Sequence, residues 1–239
     1  MNAIQITGLS RDYGKRRVVD RLSLTVVQGE LFALLGVNGA GKSTTIKMLC
    51  CLTAPTEGDA ALMGRSVRTD SPGAREVLAV SPQETAVAPN LTVRENLELM
   101  AGVYRRPREA AEEVLAELGL GQWAGQRAKT LSGGWQRRLS IAMALVSRPE
   151  VLFLDEPTLG LDVLARRELW GVIRRLKGRT AIVLTTHYLE EAEALADRIG
   201  VMAAGRLRAV GTAEELKALA GCETFEDAFV ALAGEGAAS

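Results

Sequence analysis

Between positions 36 and 44 the chain reads Gly36-Val37-Asn38-Gly39-Ala40-Gly41-Lys42-Ser43-Thr44, three glycines followed by a lysine and two hydroxyls. Glycines at 36, 39 and 41 allow positive φ and close backbone approach, so successive N–H groups can converge on an anion. Lys42 adds a mobile positive charge, and the Ser43 hydroxyl is placed to ligate Mg²⁺. This chemistry is nucleotide phosphate binding, and it needs a strand before the loop and a helix after it. Glu30 to Leu35, apolar beyond its first residue and bounded by Gly29 and Gly36, reads as the buried strand. The helix opening near Lys42 turns its unpaired N–H groups and positive dipole end to the same anion.

A second set of polar residues sits where apolar runs end. Val151 to Leu154 reads as a buried strand that delivers Asp155 and Glu156 to its carboxyl end, where ligands bind in open α/β sheets. Side chains alternate along a strand, so one carboxylate can reach Mg²⁺ through its water shell while the other faces a water near the γ-phosphate. Thr180 to Thr185 is another buried strand, followed by Thr186 and His187, the only histidine. A lone histidine is more often structural than catalytic, but this one lies on the same sheet edge as the phosphate loop. Leu131-Ser132-Gly133-Gly134 opens an amphipathic helix with Ser132 as its N-cap, either an ordinary capped helix or a second anion site. Tyr13, ahead of the loop, reads as a half-buried strand aromatic or as a ring that stacks on a base.

The elements that must hold these groups follow from periodicity. Ala3 to Gly8 alternates like an edge strand and Leu22 to Val27 like a second, which predicts a small antiparallel sheet before the phosphate loop. Ser71-Pro72 reads as an N-cap with proline at the first helical position. Thr92-x-x-Glu95 is a capping box, and from Thr92 to about Lys129 no strand pattern occurs, so this stretch reads as an inserted helical subdomain. A short amphipathic helix over 224–233 ends the chain. The predicted fold class is α/β, a mostly parallel sheet with an N-terminal antiparallel β-subdomain and a helical insertion at about 92–148. Residues 1–220 are expected to form one domain and 221–239 a short helical tail.

Composition narrows the partners. The 239 residues suffice for a large core, and 29 Lys and Arg balance 29 Asp and Glu, so no overall field favours nucleic acid, which is not expected as a partner. Three cysteines, two of them adjacent at Cys50-Cys51, give neither a disulfide framework nor metal-ligand spacing, which fits a reducing cytosol. No apolar run reaches about 18 residues, and Met1 to Leu9 lacks a basic-then-apolar leader, so the chain is expected to be soluble and to meet a membrane through a partner.

Taken together, the loop Gly36 to Thr44, Gln83 after a strand, Leu131-Ser132-Gly133-Gly134, the strand Val151 to Glu156, Leu161-Asp162 and His187 resemble an ABC-type ATPase domain, from about Ile4 to Val210 and in that family's order. The resemblance implies a P-loop NTPase core binding ATP and Mg²⁺. It implies that Tyr13 stacks on adenine with Val18 near the base, and that Gly36, Val37, Asn38, Gly39, Ala40, Gly41, Lys42, Ser43 and Thr44 form the Walker A loop. Ser43, Gln83 and Asp155 match the magnesium ligands, Glu156 the general base and His187 the switch histidine. Leu131, Ser132, Gly133, Gly134 and the D-loop Asp162 match residues that complete the ATP site of a second copy in a head-to-tail dimer. Two departures stand out: Trp135 occupies the fifth signature position, usually glutamine, and is expected to pack locally with hydrolysis retained, and Leu159-Gly160 replace a common serine in the D-loop.

The same resemblance implies the ATP-hydrolysing subunit of an exporter of drugs, antibiotics, lipids or glycans, bound to a separate integral membrane permease at the cytoplasmic face of the cell membrane. The segments Ser81-Pro82-Gln83-Glu84, Asn90 to Leu97 and Thr186 to Ala192 are the most exporter-like. The alternative is a soluble ATP-driven clamp in translation or DNA repair, but such relatives usually fuse two nucleotide domains or carry a long coiled coil. A small-molecule phosphotransferase would need an acceptor pocket that no stretch suggests.

Overall fold

The structure, a computed structural model, describes residues 1–234. Strands β1 (Asn2–Tyr13), β2 (Arg16–Val27) and β3 (Leu31–Leu35) precede α1 (Lys42–Leu49), then β4 (Glu57–Leu62), β5 (Arg65–Ser66), α2 (Ser71–Val77) and β6 (Leu78–Ser81). Helices α3 (Val93–Val103), α4 (Glu109–Glu117) and α5 (Gly133–Leu145) follow without a strand between them. The chain then alternates through β7 (Val151–Asp155), α6 (Val163–Leu176), β8 (Ala181–Thr186), α7 (Leu189–Leu195), β9 (Arg198–Ala203) and β10 (Arg206–Gly211), and ends in α8 (Ala213–Ala220) and α9 (Phe225–Gly234).

The larger sheet has the order β10-β9-β3-β8-β7-β6, parallel except for the β10–β9 pair. All five residues of β3 and all six of β8 are buried. Helices cover both faces of such a sheet, so its inner strands are apolar throughout, and their carboxyl ends are the one edge where polar side chains can gather. Leu35, Ser81, Asp155 and Thr186 therefore deliver the phosphate loop, the 82–87 loop, Glu156 and His187 to a single edge.

The antiparallel sheet has the order β2-β1-β4-β5, which corrects the sequence reading twice. The segment expected as an edge strand, Ala3 to Gly8, belongs to the twelve-residue β1 and pairs on both sides. The sheet is also not wholly N-terminal, because β4 and β5 return to it after α1. Alternation shows that one face is buried, which is equally true of an inner antiparallel strand.

Helix ends follow local chemistry. Thr92 and Glu95 form the expected capping box on α3, and Thr212 with Glu215 forms a second on α8. The N-cap of α2 is Asp70, whose side chain accepts from Gly73 N at 3.2 Å, with Ser71 inside the helix, one residue from the predicted cap. The helical stretch lies between the adjacent strands β6 and β7 and shares one apolar cluster with the sheet, joining Leu97, Leu115, Leu139 and Ile141 to Leu152, Leu154 and Leu184. In the expected tail, α9 buries Phe225, Ala228 and Leu232 beside Ile199 and Val201 of β9, while 235–239 lie outside the described residues.

Candidate functional site

A cleft of about 480 Å³ at the strands' carboxyl edge is lined by Tyr13, Arg16, Val18, Asn38, Gly39, Ala40, Gly41, Lys42, Ser43, Thr44, Gln83, Glu156, Leu159 and His187. Residues from five separated stretches of sequence meet here, and twelve of the fourteen sit in the phosphate-loop region or among the other sequence candidates. Arg16 and Leu159 belong to neither group. Arg16 is the first residue of β2, just after its turn from β1, and Leu159 comes from the turn after β7.

Backbone geometry shapes the loop. A Cβ on Gly36 would lie 2.4 Å from Met202 O, so only glycine lets β3 leave the sheet against β9. Gly41, the N-cap of α1, has φ 105°, and a Cβ there would meet Val18 O at 2.8 Å. Lys42 is 6% exposed, and its Nζ donates to Gly36 O at 2.6 Å and to Val37 O at 3.4 Å. The ammonium is thus held over the loop by its carbonyls. Gly36 and Val37, whose carbonyls accept from Lys42, are not among the residues lining the cleft.

Glu156, the residue after β7, is in the left-handed region, φ 50°, a conformation that costs a non-glycine residue about 1–2 kcal/mol. Its backbone N donates to Thr185 O and to Thr185 Oγ1, both at 3.1 Å, and its side chain is aimed back into the cleft. The carboxylate is nearly buried, with Oε2 2.5 Å from His187 Nδ1 and Oε1 3.6 Å from Lys42 Nζ. Asp155, one residue earlier, points elsewhere and accepts from Thr185 Oγ1 at 2.5 Å. Strand alternation therefore separates the two acids, and Asp155 stands behind the cleft lining.

Tyr13 is half-exposed, with the Arg11 guanidinium 4.7 Å from the centre of its ring. An aromatic backed by a cation on one side offers its other face to a flat ligand.

Ser132, Gly134 and Asp162 gather at a second cleft of about 240 Å³, together with Trp135, Arg138 and Ala165. Ser132 is the N-cap residue of α5 by position, but its hydroxyl makes no capping bond to its own helix, contrary to the sequence expectation. Asp162 is the N-cap of α6, accepting from Leu164 N and Ala165 N at 2.9 Å each. Gly133 approaches the Leu161 side chain and Gly134 the Ala165 side chain, which seats the turn from Ser132 against that helix start. Leu131 is buried and anchors the turn. Trp135 packs on Trp123, ring centres 5.3 Å apart, and the Arg138 guanidinium lies 4.2 Å from the centre of the Trp135 ring.

Among the described residues no group of three or more His, Cys, Asp or Glu could hold a metal by itself. Ser43, Gln83 and Asp155 supply hard oxygen donors, and Mg²⁺ characteristically takes one or two protein oxygens and completes its shell with phosphate and water. The donor set fits that ion.

The family described as ABC transporter matches residues 19–159, which span the loop at 36–44, Gln83, the turn at 131–134 and the acids at 155 and 156. The chain belongs to the ABC transporter family. As an ABC ATP-binding protein it is 44% identical over 224 residues to the daunorubicin/doxorubicin resistance ATP-binding protein DrrA of Streptomyces peucetius, an alignment covering 92% of this chain and 68% of that one. It is 43% identical over 233 residues to the Nod factor export ATP-binding protein I of Rhizobium etli, covering 95% and 73%. Among solved structures, an ATP-binding subunit of an ABC transporter superposes with a TM-score of 0.85 at 30% identity, covering 96% of this chain and 99% of that one. A dimeric ATP-binding cassette in a post-hydrolysis state with ADP and Pi gives 0.76 at 26% identity, covering 87% and 98%. This ABC protein is an ATP-binding ATPase domain. No described helix is long and apolar enough to cross a membrane.

Proposed function

We propose that this ABC ATPase powers a separate membrane permease that exports a drug, antibiotic, lipid or related compound, and that it works as a head-to-tail dimer of two copies at the cytoplasmic face of the membrane. The observation that carries the catalytic part is the meeting of Lys42, Gln83, Glu156 and His187 around one cleft that also presents Tyr13.

In this reading adenine stacks on Tyr13 beside Val18, and the phosphates lie along the N–H groups of Gly39 to Thr44 and the start of α1, with Lys42 against the terminal phosphates. Mg²⁺ held by Ser43, Gln83 and Asp155 would neutralise phosphate charge when bound. Glu156 takes a proton from water as that water's oxygen bonds to the γ-phosphorus and the bond to the β,γ-bridging oxygen breaks, giving ADP and phosphate. His187, 2.5 Å from Glu156, orients the carboxylate and shares the cleft with the transferring group. The protein's work is positioning and charge stabilisation, with no covalent intermediate.

A nucleotide on the Lys42 loop leaves one side facing out of the cleft, and the turn from Ser132 to Gly134 is an outward-facing set of donors on its own second cleft. In a head-to-tail pair each copy would offer Leu131, Ser132, Gly133, Gly134 and Asp162 to the other's nucleotide. The permease surface is assigned to the 82–87 loop and α3, where Leu99 and Val103, one turn apart, are 49% and 63% exposed and Tyr104 adds a half-exposed ring. The relatives named for daunorubicin/doxorubicin resistance and Nod factor export favour an exporter.

Purification of the tagged chain from detergent-solubilised native membranes tests the permease reading. A polytopic membrane protein in one-to-one ratio is expected. Recovery of a ribosome or a DNA-repair factor in its place would overturn it.

A further inference from the structure

Gln83 reaches the cleft from a loop with little support of its own. Outside the sheet ladder, the hydrogen bonds made by the backbone from Pro82 to Val87 are two, and among the described residues one side chain supplies both. Arg137 Nη1 donates to Pro82 O at 2.6 Å, and Arg137 Nη2 donates to Gln83 O at 2.5 Å. Pro82 has no N–H, so its carbonyl is the only backbone polar group that this residue offers. Arg137 is 5% exposed and makes no ion pair within 4 Å among the described residues, so a buried guanidinium is committed to two backbone carbonyls. One helical turn further along α5, the Ser140 hydroxyl lies 3.0 Å from the Ser81 hydroxyl, which fastens the end of β6 to the same helix. That helix begins at Gly133, next to Ser132.

We propose that Arg137 is a positioning residue for Gln83, clamping the carbonyls of Pro82 and Gln83 to the helix that starts at Ser132, so that the reach of Gln83 into the nucleotide cleft is set by that helix. Because the fork spans two successive carbonyls, it fixes the peptide plane between them as well as its distance. A movement of the 82–87 loop is therefore passed to the helix carrying Ser132, and the reverse. The inference rests on the reading of Gln83 as a ligand to magnesium and the attacking water.

The test is steady-state ATP hydrolysis and equilibrium ATP binding for Arg137→Met, Gln83→Ala and the double variant, with melting temperature measured alongside. Arg137→Met is expected to lower kcat about tenfold while KM stays within about twofold, the pattern of an interaction that acts on the chemical step. The double variant should be no slower than Gln83→Ala, since Arg137 acts through the residue already removed. Arg137→Lys keeps a charge but not the fork, and it carries the same comparison if Arg137→Met does not fold. Losses that multiply in the double variant, or a raised KM at unchanged kcat, would overturn the clamp. Slow Gln83→Ala beside wild-type Arg137→Met would overturn the clamp alone, whereas wild-type turnover in Gln83→Ala would overturn the reading of Gln83 beneath it.

Discussion

His187 Nδ1 lies 2.5 Å from Glu156 Oε2, and the other oxygen of that carboxylate lies 3.6 Å from Lys42 Nζ. The acid at the end of β7 is thus flanked by the two cleft residues best suited to face a γ-phosphate. A carboxylate held this way has its orientation fixed before a water approaches it. Replacing His187 with alanine should lower kcat about 100-fold and change ATP affinity by less than about threefold, because the proposed role of the ring is on the base and the transferring group. Single-turnover rates with parallel binding isotherms check this, and equal losses in both would contradict it.

Lys42 is buried against its own loop, donating to Gly36 O at 2.6 Å. Truncation to alanine removes both the charge proposed to face the phosphates and a bond that shapes the loop. Calorimetric titration should show ATP affinity weakened by at least about 100-fold, the scale of two strong charge-assisted bonds. An unchanged affinity would place the phosphates elsewhere.

Tyr13 presents one face to Arg11 at 4.7 Å. Tyr13→Ala should weaken ATP and ADP alike by about fivefold, near 1 kcal/mol for an aromatic stack, and leave binding of inorganic triphosphate unaltered. An equal effect on triphosphate would mean that the ring shapes the loop and does not receive a base.

Glu191 on α7 is fully buried, with Oε1 accepting from Trp170 Nε1 at 3.0 Å. Burial raises its pKa above the ordinary 4.5, against the opposing pull of Thr186, Thr158, Trp170 and the Arg166 charge. The fold therefore binds this proton more tightly than the unfolded chain does. Its contribution to stability is complete below the unfolded pKa and fades as pH rises through the higher folded value. Glu191→Gln removes the titration, so its urea midpoint should rise relative to wild type between about pH 4 and pH 8. A difference independent of pH would refute the assignment.

Much of this site could be read from the sequence because its residues follow local rules. The phosphate loop needs glycines at fixed spacing, and β3, β7 and β8 are continuous apolar runs ending in the residues they deliver. Capping boxes at Thr92 and Thr212 depend on contacts four residues long. The parts that escaped depend on long-range packing. Arg16 lines the cleft only because the antiparallel sheet leans its β1–β2 turn over the loop, and no period in 11–17 encodes that. Arg137 reads as one more polar residue on an amphipathic helix, yet it is buried against a loop 54 residues earlier. Asp70 and Ser71 are both good caps, and only the bond from Gly73 N chooses between them. The left-handed φ of Glu156 has no sequence signal, since glycine is the residue that ordinarily marks it.

The central claim, that Glu156 is the base of an ATPase whose sites form between two copies, is tested most directly by Glu156→Gln. ATP turnover and sizing-column mass are measured with magnesium and ATP present. The account predicts retained ATP binding, turnover reduced by about 100-fold or more, and a dimer trapped on the column. Wild-type turnover by Glu156→Gln would contradict it.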